Sequence, residues 1–296
     1  MNITKCSCLA VVLNSLLLGA HPAANAAPPK KDDRHDPVQM DAVKVTASPL
    51  RSKVEELSDP VDVLTGEKLD EAKSATLGET ISGLPGVQSS NFGPGVGRPI
   101  IRGLDGPRVA VLSGGLATQD VSTVSQDHAP AVEPFLADQI EVIKGPATLL
   151  FGSGAIGGIV NVVDGRIPES AQTESFSGRA ELRFDSGSRG HTELIRIDAG
   201  SEQFVLHVDA VNRDNDDYDT PDGKQQNSFI ETQTGAIGGS LVGDWGFFGV
   251  SIARFEDTYG NPGEAGNAAE GEPSVFLDIQ QDRYEAKGAI NAPFAG

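Results

Sequence analysis

Residues 139–164 read QIEVIKGPATLLFGSGAIGGIVNVVD, and this stretch decides the fold. It begins and ends with runs of strand length that are rich in valine and isoleucine, at 140–143 and 159–163. β-Branched residues are enriched in strands, so both runs predict β-strands. The glycines between the runs indicate tight turns, because glycine adopts positive φ angles at little steric cost.

The glycines at 152–157 also have the spacing G-x-G-x-x-G of a dinucleotide-binding loop. Such a loop opens a helix and is followed by an acidic residue about 20 positions further on. Here the glycines lead into a strand, and Asp164 comes too early. No Lys-Ser or Lys-Thr follows, as a phosphate-binding P-loop requires. The pattern therefore argues against a nucleotide site.

The stretch resembles the end of the plug domain of TonB-dependent outer-membrane receptors. The resemblance is carried by residues 141–147, 150–152 and 157–162, and upstream by Leu-Pro-Gly-Val at 84–87 and Ile-Arg-Gly at 101–103. It implies that a set of motif residues shapes the plug: Arg102, Gly103, Lys144, Gly145, Gly152, Gly157 and Gly158. For Arg102 two roles stay open, an ionic contact from plug to barrel and a structural role inside the plug.

Residues 1–26 have the pattern of a secretory signal peptide, with a basic start, a short apolar core and a small-residue cleavage site. Both cysteines, Cys6 and Cys8, lie inside it, so the mature chain is predicted to have neither a disulfide nor thiol chemistry. The net charge of −19 argues against a nucleic-acid partner, because nucleic-acid binders carry basic patches.

Residues 27–47 follow as a polar, proline-bearing segment that predicts a flexible linker. At its end, Val43 and Val45 alternate with polar neighbours, which is typical of an edge strand. The family resemblance implies a TonB box here, a segment that the energy-coupling protein TonB captures by strand addition. The implied TonB-binding residues are Asp41, Ala42, Val43, Lys44, Val45, Thr46 and Ala47.

Residues 48–168 are predicted to form the α+β plug domain, which ends at Ile167-Pro168. A strand at 61–64 precedes two helical segments, at 66–72 and 76–82. Thr76 and Glu79 have the spacing of a capping box.

Beyond this boundary, residues 169–296 alternate apolar and polar side chains in about six strand-length runs, as outer-membrane barrels do. A soluble β-sandwich gives the same alternation, and the plug motif and the signal peptide decide for the barrel. His207 lies on the polar phase, so we expect it to face the lumen and to form hydrogen bonds rather than to bind a ligand. The predicted strands are 176–184, 192–199, 204–210, 229–241, 245–255 and 283–290.

The predicted fold class is therefore an α+β plug domain followed by the first strands of an antiparallel transmembrane β-barrel. Receptors of this family close barrels of about 22 strands around the plug. We interpret the chain as the N-terminal part of such a receptor, with an incomplete barrel. Alone, it is not expected to transport.

Residues 125–135 most resemble the plug loop of ZnuD-type zinc receptors, in which an Asp-His pair faces the exterior and ligates zinc. Asp127 and His128 are the matching positions, and without the resemblance they would indicate a solvated loop. Zinc is usually four-coordinate, so two ligands need further donors. The segment Tyr-Gly-Asn-Pro-Gly at 259–263 resembles the start of a histidine-bearing loop in those receptors, but the loop here has no histidine. Its possible metal ligands are Glu264, Glu270 and Glu272.

These expectations together predict TonB-dependent uptake of a metal ion, zinc, across the outer membrane of a Gram-negative cell. The expected partners are TonB, outer-membrane lipid and the transported ion, with no permanently bound cofactor and no nucleic acid. A receptor for a metal chelate, such as a siderophore or haem, is the alternative within the class. A secreted β-sandwich binding module is the alternative outside it. No nucleophile, base and orienting acid stand together in the sequence, so no enzyme activity is predicted.

Overall fold

The computed structural model describes residues 45, 60–145, 148, 151, 153–172, 175–262, 266 and 274–291. The predicted signal peptide lies outside these residues, as do the linker and the TonB box apart from Val45. Three more parts of the predicted sites also lie outside the described residues: Gly152, the glutamates of the 263–273 loop (Glu264, Glu270 and Glu272), and the Pro-Ala pair at 146–147.

The plug is built on a five-stranded sheet with the strand order β1-β6-β7-β4-β5. Its strands pair antiparallel except for β4 and β7, which run parallel. The plug elements in chain order are β1 (Val61–Thr65), α1 (Gly66–Ala72), α2 (Leu77–Ile81), β2 (Val87–Ser89), β3 (Pro99–Ile101), β4 (Val109–Ser113), β5 (Leu116–Ala117), β6 (Gln139–Ile143) and β7 (Gly158–Val163). Short 3-10 turns lie at Gly106–Arg108, Val121–Thr123, Pro134–Leu136 and Ser153–Ala155.

The two runs that decide the fold are adjacent strands at the centre of this sheet, as predicted. Strand β6 pairs with β7, and Val142 lies opposite Val160 with both side chains fully buried. The chain enters β7 through Gly158, whose φ is +152°. A Cβ at this position would lie 2.6 Å from Ile101 Cδ1, so the close approach of β3 requires glycine.

Both predicted helices are present, and their apolar faces pack on the plug sheet. Thr76 caps α2, and its hydroxyl oxygen accepts a hydrogen bond of 3.4 Å from the Glu79 backbone N–H. The Glu79 carboxylate accepts from the Ser74 hydroxyl instead of closing the capping box. None of the helices in the described residues is long and apolar enough to cross a membrane.

The Ile-Arg-Gly motif at 101–103 belongs to a strand only at its first residue. Strand β3 stops at Ile101, and Arg102 and Gly103 both have positive φ angles, 51° and 78°. These two residues form a turn because the strand must reverse there to bring Leu104 back to Ile101.

After the plug, six long strands form one antiparallel sheet, the wall sheet, in the order β8-β9-β10-β13-β14-β15. Each of the six runs predicted from alternation corresponds to one of these strands. The strands are β8 (Phe176–Asp185), β9 (Gly190–Gly200), β10 (Phe204–Asn215), β13 (Ile230–Gly243), β14 (Gly246–Gly260) and β15 (Phe276–Ile290). A small hairpin, β11 (Asp219–Thr220) and β12 (Gly223–Lys224), follows β10.

Alternation along the strands separates an exposed apolar face from a face that packs on the plug. On β8 the side chains of Phe176, Leu182 and Phe184 are exposed, while on β10 Val205 and His207 are fully buried. The short turns 201–203 and 244–245 join the strands at one end. The longer connections 216–229 and 261–275, with the short turn 186–189, join them at the other. We call this second end the outer end, because the long loops of membrane barrels are extracellular.

Candidate functional site

The loop that carries the predicted metal ligands is closed by Asp120. Its Oδ1 accepts a hydrogen bond from the Ser122 backbone N–H at 3.0 Å, and its Oδ2 accepts from the Ala131 N–H at 3.0 Å. The buried Arg98 supports the same loop, since its Nη1 donates to the carbonyl oxygens of Ser122 at 2.6 Å and Ser125 at 3.1 Å. The loop is irregular in sequence, but these contacts hold its backbone in one conformation.

Asp127 and His128 are in direct contact within this loop. His128 Nδ1 lies 2.9 Å from Asp127 Oδ1, and the two side chains are 29% and 31% exposed. The Ser125 hydroxyl also donates to Asp127 Oδ1. The Ser125 hydrogen bond and then the His128 contact hold the pKa of Asp127 below its usual range. An ionised carboxylate beside an imidazole is a suitable pair of donors for a zinc ion.

Among the described residues, no group of three or more histidine, cysteine, aspartate or glutamate side chains is arranged to hold a metal ion. The three glutamates predicted as possible ligands belong to the 263–273 loop, outside those residues. The described structure therefore brings the two predicted plug ligands together, and the metal site as a whole stays a prediction.

Tyr259, at the outer end of β14, links this loop to the wall sheet. Its side chain is fully buried, and its hydroxyl donates to the Asp127 carbonyl oxygen at 2.8 Å. The same hydroxyl accepts from the Ala129 backbone N–H at 2.9 Å. In the sequence, Tyr259 is notable only as part of the Tyr-Gly-Asn-Pro-Gly resemblance. Tyr259 is the last large side chain on the inward phase of β14 before a long loop. This position could have indicated a contact with the plug.

A second contact between the plug and the wall sheet is a buried ion pair. Arg213 of β10 donates from Nη2 to both carboxylate oxygens of Glu133, at 2.9 and 3.0 Å, and both side chains are 3% exposed. Arg213 Nη1 also donates to the Ala75 carbonyl oxygen at 3.1 Å. The Phe135 ring lies between two guanidinium groups, with centroid distances of 4.9 Å to Arg213 and 4.5 Å to Arg183.

His207 takes part in a third set of contacts, on the inward phase as predicted. Its Nδ1 lies 2.7 Å from Asp198 Oδ1, and its Nε2 lies 2.9 Å from Asp209 Oδ2. Arg166, from the segment that joins plug and wall, donates to both oxygens of Asp209 at 2.9 and 3.1 Å. Arg196 of β9 pairs with Asp138 of the plug at 2.6 Å. Both ring nitrogens of His207 are thus engaged, so it serves as a hydrogen-bonding residue.

The motif residues implied by the resemblance have mostly local roles. The exposed Arg102 donates its backbone N–H to the Gly86 carbonyl oxygen at 2.8 Å, and within the described residues its side chain forms no ion pair. The buried Lys144 bonds Asp62 and the Pro85 carbonyl oxygen, which ties β1 to the turn before β2. Gly103 lies in the turn after β3, Gly145 and Gly157 lie in the connection from β6 to β7, and Gly158 is the first residue of β7.

Val45 is the described residue of the predicted TonB box. It is fully buried and packs in an apolar cluster with Leu112, Ile143, Ala155 and Ile159. This segment therefore contacts the plug through at least the Val45 side chain.

Residues 53–159 match the family described as TonB-dependent Receptor Plug Domain. The matched segment thus has the fold of a plug domain. The match lies inside the predicted limits 48–168, and it ends within β7, where the deciding stretch closes the plug sheet.

Known proteins extend the likeness beyond the plug. The Vitamin B12 transporter BtuB of Photobacterium profundum is 24% identical over 257 residues, which cover 81% of this chain and 40% of BtuB. The Copper transporter OprC has a TM-score of 0.57 at 20% identity, covering 69% of this chain and 31% of OprC. The FrpB iron transporter of Neisseria meningitidis has a TM-score of 0.61 at 12% identity, covering 77% of this chain and 37% of FrpB.

At these identities the solved structures show a shared fold, an antiparallel sheet of barrel strands around a plug. The chain thus consists of a plug domain and barrel strands, as the sequence predicts. It spans about 40% of the length of the curated relative that it matches. These three relatives are described as transporters, and none of their names mentions zinc.

Proposed function

We propose that the plug domain and the wall sheet belong to a TonB-dependent receptor of the outer membrane, which takes up a metal-containing substrate and performs no bond chemistry. The plug-domain match and the shared fold support this proposal. TonB would act through residues 41–47. Outer-membrane lipid would cover the exposed apolar face of the wall sheet, where Phe176, Leu182, Phe248 and Ile252 lie.

The proposed substrate is a zinc ion, and the observation that carries this is the Asp127–His128 pair. The pair lies in a plug loop that contacts the outer end of the wall sheet through Tyr259. A carboxylate held ionised by Ser125 and an imidazole in contact with it are donors that zinc accepts. Side chains that are each about one-third exposed are still open to a solute arriving from outside. The remaining ligands would come from the 261–275 loop or from outside this chain.

A metal chelate is the second candidate, and a cavity favours it. A space of about 390 Å³ lies between the plug and the outer end of the wall sheet. Small-molecule sites commonly have volumes of about 300–1,000 Å³ and aromatic walls. Its lining includes three basic side chains (Lys73, Arg183 and Arg213), two acidic ones (Glu79 and Asp185) and the aromatic rings of Phe135 and Tyr218. The excess of basic side chains and the aromatic rings suit an anionic, partly aromatic chelate better than a bare cation.

Substrate uptake by cells that carry the receptor tests the coupling part of the proposal. Radiolabelled zinc, a ferric catecholate and cobalamin would be supplied separately to cells with the wild-type receptor or with residues 41–47 deleted. We expect the deletion to abolish uptake while surface binding of the substrate remains. Uptake that survives the deletion would contradict coupling through this segment, and uptake of cobalamin or the ferric chelate without zinc would replace zinc by the second candidate.

A further inference from the structure

Tyr259 contacts the backbone on both sides of His128, in addition to linking the plug to the wall sheet. Its hydroxyl bonds the carbonyl oxygen of the residue before His128 and the N–H of the residue after it. The first group belongs to the peptide plane on one side of the His128 Cα, and the second belongs to the plane on the other side. Because each peptide unit is planar, fixing one atom pair in each plane restrains both φ and ψ of His128. The direction of its Cα–Cβ bond is restrained with them.

The tyrosine itself is held in place by the plug. A Cβ built on Gly95 would lie 2.7 Å from both Cβ and Cγ of Tyr259, so the ring packs directly against the backbone of this glycine. Three residues further on, Pro262 is packed in the same way, since a Cβ on Gly93 would lie 2.7 Å from its Cδ. The outer end of β14 and the first two residues of the 261–275 loop thus pack against the plug segment around Gly93 and Gly95.

The remaining freedom of the donor pair lies in its side-chain torsions. The Asp127 carboxylate fixes the imidazole through the 2.9 Å contact with His128 Nδ1. The hydroxyl of Ser125 fixes the carboxylate in turn. Side-chain contacts therefore orient the two donors relative to each other, while Tyr259 orients them relative to the wall sheet.

We propose that Tyr259 is the positioning residue of the Asp127–His128 pair. Its hydroxyl holds His128 in one orientation for a divalent cation and ties the pair to the loop that begins two residues later, at Asn261. The inference rests on the proposed function, because it assigns Tyr259 a role at the metal site proposed there. Tyr259 touches no substrate in this role and acts through the backbone on either side of His128.

The test uses the whole chain in detergent and the substitution Tyr259→Phe, which removes the hydroxyl and keeps the buried ring. The matched control is Tyr284→Phe, because the Tyr284 side chain is 73% exposed on the outward face of β15. The first readout, without metal, is amide hydrogen exchange at Ala129. Loss of its acceptor should speed this exchange about tenfold in Tyr259→Phe, with no change in the control. The second readout is the affinity for Zn²⁺, which should weaken about tenfold while the circular dichroism spectrum stays that of the wild-type chain.

The outcomes separate this inference from the proposed function. Unchanged exchange at Ala129 in Tyr259→Phe overturns the positioning role. Equal zinc affinity of the wild-type and Tyr259→Phe chains also overturns it, while zinc binding itself stands. A wild-type chain that binds no zinc contradicts the proposed substrate, and exchange at Ala129 then decides the positioning role alone, with faster exchange supporting it.

Discussion

The buried pair of Arg213 and Glu133 should contribute more to the attachment of the plug than any exposed ion pair of the chain. Both side chains are 3% exposed, and the pair is bidentate. Removing one partner of such a pair leaves an uncompensated buried charge and costs about 3–5 kcal/mol. We expect Glu133→Gln to cost about 3 kcal/mol, at the lower end of this range, because glutamine still accepts one hydrogen bond and Arg213 keeps its bond to Ala75.

Arg213→Met should destabilise the chain more strongly. It leaves the Glu133 carboxylate buried with the Phe135 backbone N–H as its remaining donor, at 3.0 Å. The expected cost is about 5 kcal/mol, the upper end of the same range. Replacing both partners, in Glu133→Leu/Arg213→Met, removes both buried charges. The double variant should lose at most about 2 kcal/mol, because apolar replacements of similar volume are often neutral.

Urea unfolding of the chain in detergent, followed by circular dichroism, measures these free energies of unfolding. The control is Arg254→Met, which breaks an exposed ion pair with Glu256 on the outward face of β14 and should barely shift the curve. Two results would refute the reasoning. Single variants that cost less than about 1 kcal/mol would make the pair equivalent to a surface pair. A double variant that costs as much as the sum of the single ones would show that the two residues act independently.

Two further predictions concern the plug. Gly97→Ala should destabilise the chain by about 1–3 kcal/mol, because the added Cβ would lie 1.9 Å from Thr76 Oγ1. Gly83→Ala is the control and should not destabilise the chain, because its added Cβ would have nothing within 4 Å. Urea unfolding measures both free energies of unfolding. Ser125→Ala should raise the pKa of Asp127, which this hydroxyl lowers, as read by an NMR titration of the Asp127 carboxyl. A lowered pKa contributes stability that is lost as pH falls through the folded-state pKa. In the variant this contribution should be smaller, and its loss should be complete at a higher pH. An unchanged titration would contradict the assigned cause.

The strands were predictable because each has a periodicity that its environment imposes. β6 and β7 are buried on both faces at the centre of the plug sheet, so both phases of their sequences are apolar. The buried exceptions, Glu141 and Asn161, hydrogen-bond each other. The wall strands have one face towards the exterior and one towards the plug, so their sequences alternate. In both cases the order of apolar and polar residues along a strand reflects which of its faces are buried.

The contacts between plug and wall were not predictable in the same way. Arg213 and His207 lie on the inward phase of β10. The sequence pattern does not distinguish an inward polar residue that contacts water from one that contacts a substrate or the plug. Glu133 and Asp127 lie in irregular segments without periodicity, so nothing in the sequence indicates their partners. Tyr259 meets its partners across more than 100 positions of chain, and such pairings come from the way the plug sits against the wall sheet.

Zinc titration of the whole chain by calorimetry tests the central claim most directly. The test variant is Asp127→Ala/His128→Ala. The control, Asp222→Ala/His191→Ala, removes the same types of side chain elsewhere at the outer end. We expect saturable zinc binding by the wild-type and control chains and its loss in the test variant. No zinc binding by the wild-type chain, or equal binding by the test variant, would contradict it.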